Sequence, residues 1–154
     1  MSSATRSRLP PGPSLLASLV ALQAVSGLGG GAVLVIDPSG GLVGMPLSVL
    51  HRGPFVDFLV PAVILLLVLG VVPAIVAVGL WTRPRWAALR PLERTFGEHW
   101  SWVGTGVVGV GLLVWLAVEL WMVGPSSLLV LYALLGSAII VLALMPSTRR
   151  FYRA

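Results

Sequence analysis

Few side chains in the 154-residue sequence have the chemistry of a reactive or ion-binding site. Outside the arginine clusters they are Asp37, His51, Arg52, Asp57 and Glu119. An ionisable group inside an apolar segment is typical of ion and proton pathways. Glu119 fits this pattern, because it stands within such a segment, one helical turn after Trp115. One hypothesis is therefore a proton- or cation-handling site at Glu119, with Asp57 or His51 as its exchange partner.

The same residues also fit a purely structural role at the rim of a membrane. Glu119 stands about 6 Å from the end of its segment at 1.5 Å per residue, so its carboxylate reaches water. Arg52, in the preceding loop, could then neutralise Glu119 or Asp57. Both interpretations place the candidate polar groups at one end of the helices, and the sequence does not decide between the two interpretations.

Missing residue types exclude several other chemistries. The chain has no cysteine and no lysine, which excludes a dithiol relay, a thiolate metal site and a Schiff base. Its two histidines, His51 and His99, are expected on opposite sides of a membrane, so they cannot ligate one haem. No nucleophile stands in a motif with a base and an orienting group. We predict no enzymatic activity, no cofactor and no metal site.

The composition of the chain indicates that it lies in a membrane. The chain is 57% hydrophobic and 10% charged, against about 25% charged residues in soluble domains, and its mean hydropathy is +1.00. About 20 apolar residues of helix cross a bilayer core. The pattern predicts an all-α integral membrane four-helix bundle over residues 14–145, with spans at about 14–36, 55–81, 101–123 and 128–145. A disordered tail at 1–13 and a basic tail at 146–154 flank it.

Arginine placement predicts the orientation. Nine of the ten arginines lie in the two tails and in the connection between the second and third spans. By the positive-inside rule these regions are cytoplasmic, which gives up-down-up-down helices with both termini inside. This also explains the basic pI without a nucleic-acid partner. The predicted contacts to the inner leaflet are Arg83, Arg85, Arg90, Arg94, Arg149, Arg150 and Arg153.

Small and polar residues inside the spans predict packing. Gly27 and Gly31 allow close approach of another helix, either inside the bundle or in a homodimer. Gln23, the only amide in the spans, is expected to bond a neighbouring helix. Pro73 is expected to kink the second span. Asp37 is expected to bond the backbone two residues on, in a turn.

The connection between the second and third spans is expected to lie on the membrane surface. Trp86 and Phe96 belong to an apolar series at near-helical spacing, which predicts a short amphipathic helix interrupted at Pro91. His99, beside two interfacial tryptophans, is expected to be solvated. Asp57 is expected in the first turn of the second helix, where the dipole favours a carboxylate.

Three motifs around the first hairpin carry a resemblance to known proteins. DPSG at 37–40, GMPL at 44–47 and PFVDFLVPA at 54–62 resemble a group of small bacterial four-helix membrane proteins. The resemblance implies four spans and carries over no catalytic or binding residue. An alanine, glycine and arginine bias without lysine is typical of a GC-rich bacterial genome, so we expect the bacterial inner membrane.

The predicted function is non-enzymatic. We expect a multi-pass membrane protein that binds a lipid, a small hydrophobic ligand or a partner membrane protein in an accessory role. Membrane lipids are the expected contacts, and a homo-oligomer is an additional possibility. The alternative is an oligomeric proton- or cation-coupled small transporter that uses Glu119 and Asp57.

Overall fold

A computed structural model describes residues 9–153, and this part of the chain is helical, without β-strands apart from one isolated bridge. The helices are α1 Pro11–Ile36, α2 Leu59–Leu66, α3 Val72–Thr82, α4 Arg90–Phe96, α5 Trp100–Met122, α6 Ser127–Leu144 and α7 Pro146–Phe151. Short 3₁₀ turns lie at Gly41–Val43, Leu47–Leu50 and Ala87–Leu89. A π turn at Leu67–Val71 joins α2 to α3.

Four helical stretches are long and apolar enough to cross a membrane, as the sequence predicts: Pro11–Ile36, Leu59–Thr82, Trp100–Met122 and Ser127–Leu144. The first begins three residues earlier than predicted, because proline suits a first helical turn. The second begins at Leu59, four residues later than predicted, so Asp57 precedes the helix. Residues 1–8 of the predicted tail lie outside the described residues.

Apolar side chains cover both the inner and the outer faces of these helices. Leu16, Leu80 and Ile139 are fully buried in one cluster between α1, α3 and α6. Val107 and Val114 of α5 are 61% and 58% exposed. A helix that is apolar all round suits a lipid environment, because neither face needs water.

Close packing of α1 against the second span confirms the internal role of its glycines. A Cβ atom on Gly27 would overlap the carbonyl group of Leu69, and a Cβ on Gly31 would lie 2.8 Å from the backbone of Leu66. Both glycines therefore allow two helix backbones of the same chain to approach each other, as small residues do inside membranes.

Two prolines lack the N–H group that a helix carbonyl four residues earlier would normally use as its donor. Side chains from distant parts of the chain supply the missing donors. Pro73 has no N–H for the carbonyl of Leu69, four residues earlier. Gln23, which is 2% exposed, donates its Nε2 hydrogen to that carbonyl at 3.2 Å. This confirms the predicted bond from Gln23 to a neighbouring helix. A π turn at Leu67–Val71 lies just before Pro73, and the predicted kink at Pro73 stays a prediction.

The second proline, Pro84, leaves the carbonyl of Leu80 without its α-helical donor in the same way. The hydroxyl of Tyr152 donates to this carbonyl at 3.0 Å. The bond ties the C-terminal segment after α7 to the end of α3.

These contacts define two ends of the bundle. The arginine-rich end consists of residues 82–99 and 146–153, together with the start of α1, where Gly12 approaches Thr148. The opposite end consists of residues 37–58 and 119–127, where Leu50, Phe58 and Met122 are buried together.

At the arginine-rich end, Pro91 lies in the first turn of α4, at the beginning of this helix. The prediction that it interrupts a helix is therefore wrong.

Candidate functional site at the arginine-rich end

The polar residues predicted to form a site at the opposite end bond within their own loops. His51 and Arg52 are exposed. His51 donates its Nδ1 hydrogen to the carbonyl of Ser48 at 2.5 Å. Asp57 accepts a hydrogen bond from the N–H of Leu59 at 3.0 Å. His51 and Asp57 thus each stabilise a local turn rather than a shared centre.

Glu119 lies half-buried on α5, one turn after the half-buried Trp115. Within residues 9–153, Arg52 forms no ion pair with Glu119 or with Asp57. The expected structural ion pair at this rim is therefore not formed. The role of Glu119 and Asp57 in transport stays a prediction.

Asp37 closes the turn at the end of α1 by accepting hydrogen bonds from three atoms of its neighbours. Its Oδ1 accepts from the N–H of Ser39 at 3.2 Å and from its hydroxyl at 2.5 Å, and its Oδ2 accepts from the N–H of Leu42 at 2.8 Å. These bonds, led by that from the Ser39 hydroxyl, lower the pKa of Asp37. The predicted turn bond of Asp37 is confirmed.

At the arginine-rich end, ionisable groups bond across the fold. Glu98 is 3% exposed, and its Oε1 accepts from the Nε of Arg149 at 2.6 Å. The guanidinium of Arg149 also lies 5.5 Å from the ring centroid of Trp102. The sequence placed Arg149 among the lipid contacts, but its charge is paired with a buried carboxylate, so this part of that prediction needs correction.

His99 is buried, at 8% exposure, and the prediction that it is solvated is wrong. It caps the start of α5, where its Nδ1 accepts from the N–H of Ser101 at 3.3 Å. Its Nε2 donates to the carbonyl of Pro84 at 3.2 Å and lies 3.7 Å from Oε1 of Glu93. Burial lowers the pKa of His99 more than the Glu93 carboxylate raises it, so His99 is neutral at pH 7.

The C-terminal segment is held against these residues. Its Tyr152 is 1% exposed, and the carbonyl of Tyr152 accepts from the N–H of His99 at 2.6 Å. Burial raises the pKa of the Tyr152 hydroxyl to about 12. An isolated antiparallel bridge joins Arg153 to Glu98. The basic tail predicted from sequence is thus anchored to the start of α5.

A cleft of about 480 Å³ opens between these segments. Its basic residues are Arg83, Arg85 and Arg153, and its other polar residues include Glu93, His99 and Tyr152. In the described part of the chain none of the three arginines forms an ion pair with a carboxylate. The hydroxyl of Tyr152 is already bonded to Leu80. The guanidinium groups are therefore the cleft's free donors.

Arg83 is held in a specific position within the cleft. Its φ of 47° makes it the one non-glycine residue with positive φ among those described, and its N–H bonds the carbonyl of Gly79 at 2.9 Å. Its guanidinium lies 4.5 Å from the ring centroid of Phe151. Uncommon backbone conformations of this kind persist where surrounding contacts enforce them.

The structure therefore divides the seven arginines predicted to contact the inner leaflet. Three line the cleft, Arg149 pairs with Glu98, and Arg90, Arg94 and Arg150 are exposed outside the cleft. Sequence reasoning missed the cleft because its walls are far apart along the chain. The aromatic pair Phe151–Tyr152 inside a basic tail was the available signal, since aromatic residues favour a buried position.

Among residues 9–153, no three histidine, aspartate or glutamate side chains converge as metal ligands. Comparison with protein-family models, with curated proteins and with solved structures finds no match. The function is therefore inferred from the residues and geometry of this chain.

Proposed function

We propose that this chain is a non-enzymatic multi-pass membrane protein that binds an anionic lipid headgroup in the arginine-rich cleft. The observation that carries the proposal is the group of three arginines that form no ion pair with a carboxylate among residues 9–153, placed where four apolar helical stretches end. Guanidinium groups bind phosphate through paired hydrogen bonds. Basic pockets at the ends of membrane helices bind lipid headgroups in this way.

Aromatic residues near the cleft support its placement at the membrane surface. Trp86 stacks on Trp100 with ring centroids 4.8 Å apart, and the Trp100 Nε1 hydrogen bonds the carbonyl of Pro84 at 2.8 Å. Tryptophan is typical of the headgroup level of a bilayer. The proposal includes the orientation predicted by the arginines, with the arginine-rich end and both termini in the cytoplasm and the helices running up-down-up-down across a bacterial inner membrane.

Among the predicted ligands, the cleft favours a lipid over a small hydrophobic compound. An apolar compound would leave three guanidinium groups without a partner, whereas a headgroup phosphate pairs with them. An anionic leaflet adds attraction of about 1 kcal/mol for each nearby arginine. An accessory role beside a partner membrane protein is compatible with this binding, as is a homo-oligomer.

The test is titration of the detergent-purified protein with phosphatidylglycerol, followed by native mass spectrometry. The variant carries Arg83→Gln, Arg85→Gln and Arg153→Gln. We expect its affinity to fall by about 100-fold, because losing two charge-assisted hydrogen bonds to the phosphate, at about 1.5 kcal/mol each, costs about 3 kcal/mol. The matched control carries Arg90→Gln, Arg94→Gln and Arg150→Gln, which removes the same charge outside the cleft.

The control variant distinguishes lipid binding in the cleft from general attraction of an anionic lipid by the positive charge of the protein. Retention of most of the affinity by the control supports the cleft. An equal loss in both variants would show that the arginines act only through net charge, and the proposal would then be wrong. Circular dichroism and thermal unfolding of both variants check that the helices remain folded.

The alternative function, an oligomeric transporter, has one observation in its favour. Glu119 is half-buried in α5, and it forms no ion pair within residues 9–153. A carboxylate of this kind is typical of proton or cation pathways. Proton uptake into proteoliposomes that is lost in Glu119→Gln and in Asp57→Asn would support transport, and an absence of proton movement under every imposed gradient would exclude it.

A further inference from the structure

The walls of the arginine-rich cleft come from separate segments of the chain. Arg83 and Arg85 directly follow α3, and Arg153 follows α7. The hydroxyl of Tyr152 bonds the end of α3, and its carbonyl bonds the start of α5. These two bonds on the adjacent residue anchor the backbone next to Arg153, which lines the same cleft as Arg83 and Arg85.

The charge around the cleft exceeds what one phosphodiester neutralises. Three arginines and Glu93, with His99 neutral, leave a formal charge of +2 from the described residues. A phosphodiester carries one negative charge and two free oxygens, which a single bidentate arginine can occupy. Three free guanidinium groups therefore match more than one phosphate.

The acidic side of the cleft directs a ligand toward the arginines. Oε1 of Glu93 accepts from the N–H of Trp100 at 3.3 Å, and His99 caps the same helix start. The first N–H groups of α5 are thus already occupied by protein atoms, and the Glu93 carboxylate repels a second anion there. A phosphate has favourable partners only along the two arginine walls.

The volume of the cleft also suits a ligand with more than one phosphate. Its volume of about 480 Å³ lies within the range of small-molecule sites, about 300–1,000 Å³. The guanidinium carbon of Arg83 lies 4.5 Å from the ring centroid of Phe151, two residues before Arg153, so Arg83 contacts the C-terminal segment. The cleft therefore has room for a ligand larger than a single phosphate.

Resting on the proposed lipid function, we propose that the cleft selects a ligand with two phosphoryl groups, one held by Arg83 and Arg85 and the other by Arg153. A lipid with two phosphodiesters, such as cardiolipin, has this chemistry. A free diphosphate has it as well.

The test compares ligands by their number of phosphates. The purified full-length protein is titrated with cardiolipin and with phosphatidylglycerol at equal total phosphate, and the affinities are measured by native mass spectrometry. We expect cardiolipin to bind at least about tenfold more tightly, since a second phosphate gains its own arginine contact. Inorganic pyrophosphate is added as the lipid-free arm; displacement of cardiolipin by pyrophosphate at matched concentration assigns the preference to the diphosphate itself.

A single substitution separates the two walls. Arg153→Gln should lower cardiolipin affinity to about that of phosphatidylglycerol, while phosphatidylglycerol affinity changes by less than about twofold because Arg83 and Arg85 remain. Arg150→Gln is the matched control and should leave both affinities unchanged. Equal affinities of the two lipids for the unsubstituted protein would overturn the two-phosphate proposal and leave the lipid function standing. A loss shared equally by the cleft and control triple variants would overturn the lipid function itself.

Discussion

The two ends of the bundle contain the same kinds of ionisable side chain and use them differently. At the arginine-rich end, Glu98 and Arg149 bond although they are 51 residues apart, and Tyr152 reaches Leu80 across 72 residues. At the opposite end, Asp37 bonds only to residues within five positions of itself. The ionisable groups of the arginine-rich end therefore make tertiary contacts, whereas Asp37 at the opposite end stabilises a local turn.

Burial explains why this difference matters energetically. Glu98 and His99 are buried, so a lost partner leaves a group without hydration. His51 and Arg52 are exposed, so water replaces any lost contact. Substitutions that remove a partner of the buried groups at the arginine-rich end should therefore have large effects, and substitutions of exposed groups should have small ones.

The largest expected effect comes from removing the partner of Glu98. Arg149→Leu leaves a carboxylate buried without its cation, which should lower the free energy of unfolding by about 3 kcal/mol. Arg150→Leu, at the exposed neighbouring position, should change it by less than about 0.5 kcal/mol. Chemical unfolding in detergent measures both. Similar stabilities of the two variants would contradict the tertiary role of the pair.

The next effect concerns the bond that holds the C-terminal segment. Tyr152→Phe removes the hydroxyl that donates to the Leu80 carbonyl. Because Pro84 has no N–H to replace it, the free energy of unfolding should fall by about 1 kcal/mol. Tyr132→Phe, on α6, is the control, since no hydrogen bond of its hydroxyl is formed within residues 9–153. A Tyr152→Phe protein as stable as the control would show that the anchoring bond is dispensable.

A smaller effect should appear as a pH dependence. The pKa of His99 in the folded state lies below its ordinary value of 6.5, mainly through burial. The unfolded chain therefore binds more protons below pH 6.5, so stability is full above that pH and falls as the pH decreases from 6.5 toward the folded pKa.

Two matched substitutions test this pH dependence. His99→Asn keeps an acceptor for the start of α5 and should remove the fall in stability between pH 7.5 and 5.5. His51→Asn at the opposite end should retain it. Unfolding curves at several pH values measure the slopes, and an unchanged slope in His99→Asn would assign the pH dependence to other groups.

The smallest effect is expected at the exposed turn of Asp37. Because hydrogen bonds lower the pKa of Asp37, its contribution is present above pH 3.8 and is lost as the pH falls through the lower folded value. In NMR titration, the amide of Leu42 should report a midpoint below 3.8. Asp37→Asn should abolish this transition without altering the tertiary contacts of the arginine-rich end. A midpoint above 3.8 would contradict the bonded geometry of the turn.

Much of the helical frame follows from local patterns that the sequence displays. Four apolar stretches are each long enough to span a bilayer, and the small residues Gly27 and Gly31 mark a close helix contact. Long apolar periodicity depends only on neighbouring residues, so it is readable from one chain. The predicted polar site had no such basis, because the partners of Glu119 and Arg52 depend on how separate segments pack.

Two prolines, Pro73 and Pro84, show which features the sequence determines and which only the tertiary structure determines. By itself, the sequence determined which carbonyls lose their helical donors, since Pro73 and Pro84 lack an N–H four residues after Leu69 and Leu80. Only the tertiary structure decided that Gln23 and Tyr152 supply the missing hydrogen bonds, and that Arg83 and Arg153 face one cleft. The physical reason is range: a missing donor is a property of adjacent residues, whereas its replacement requires two distant segments to be packed within about 3 Å of each other.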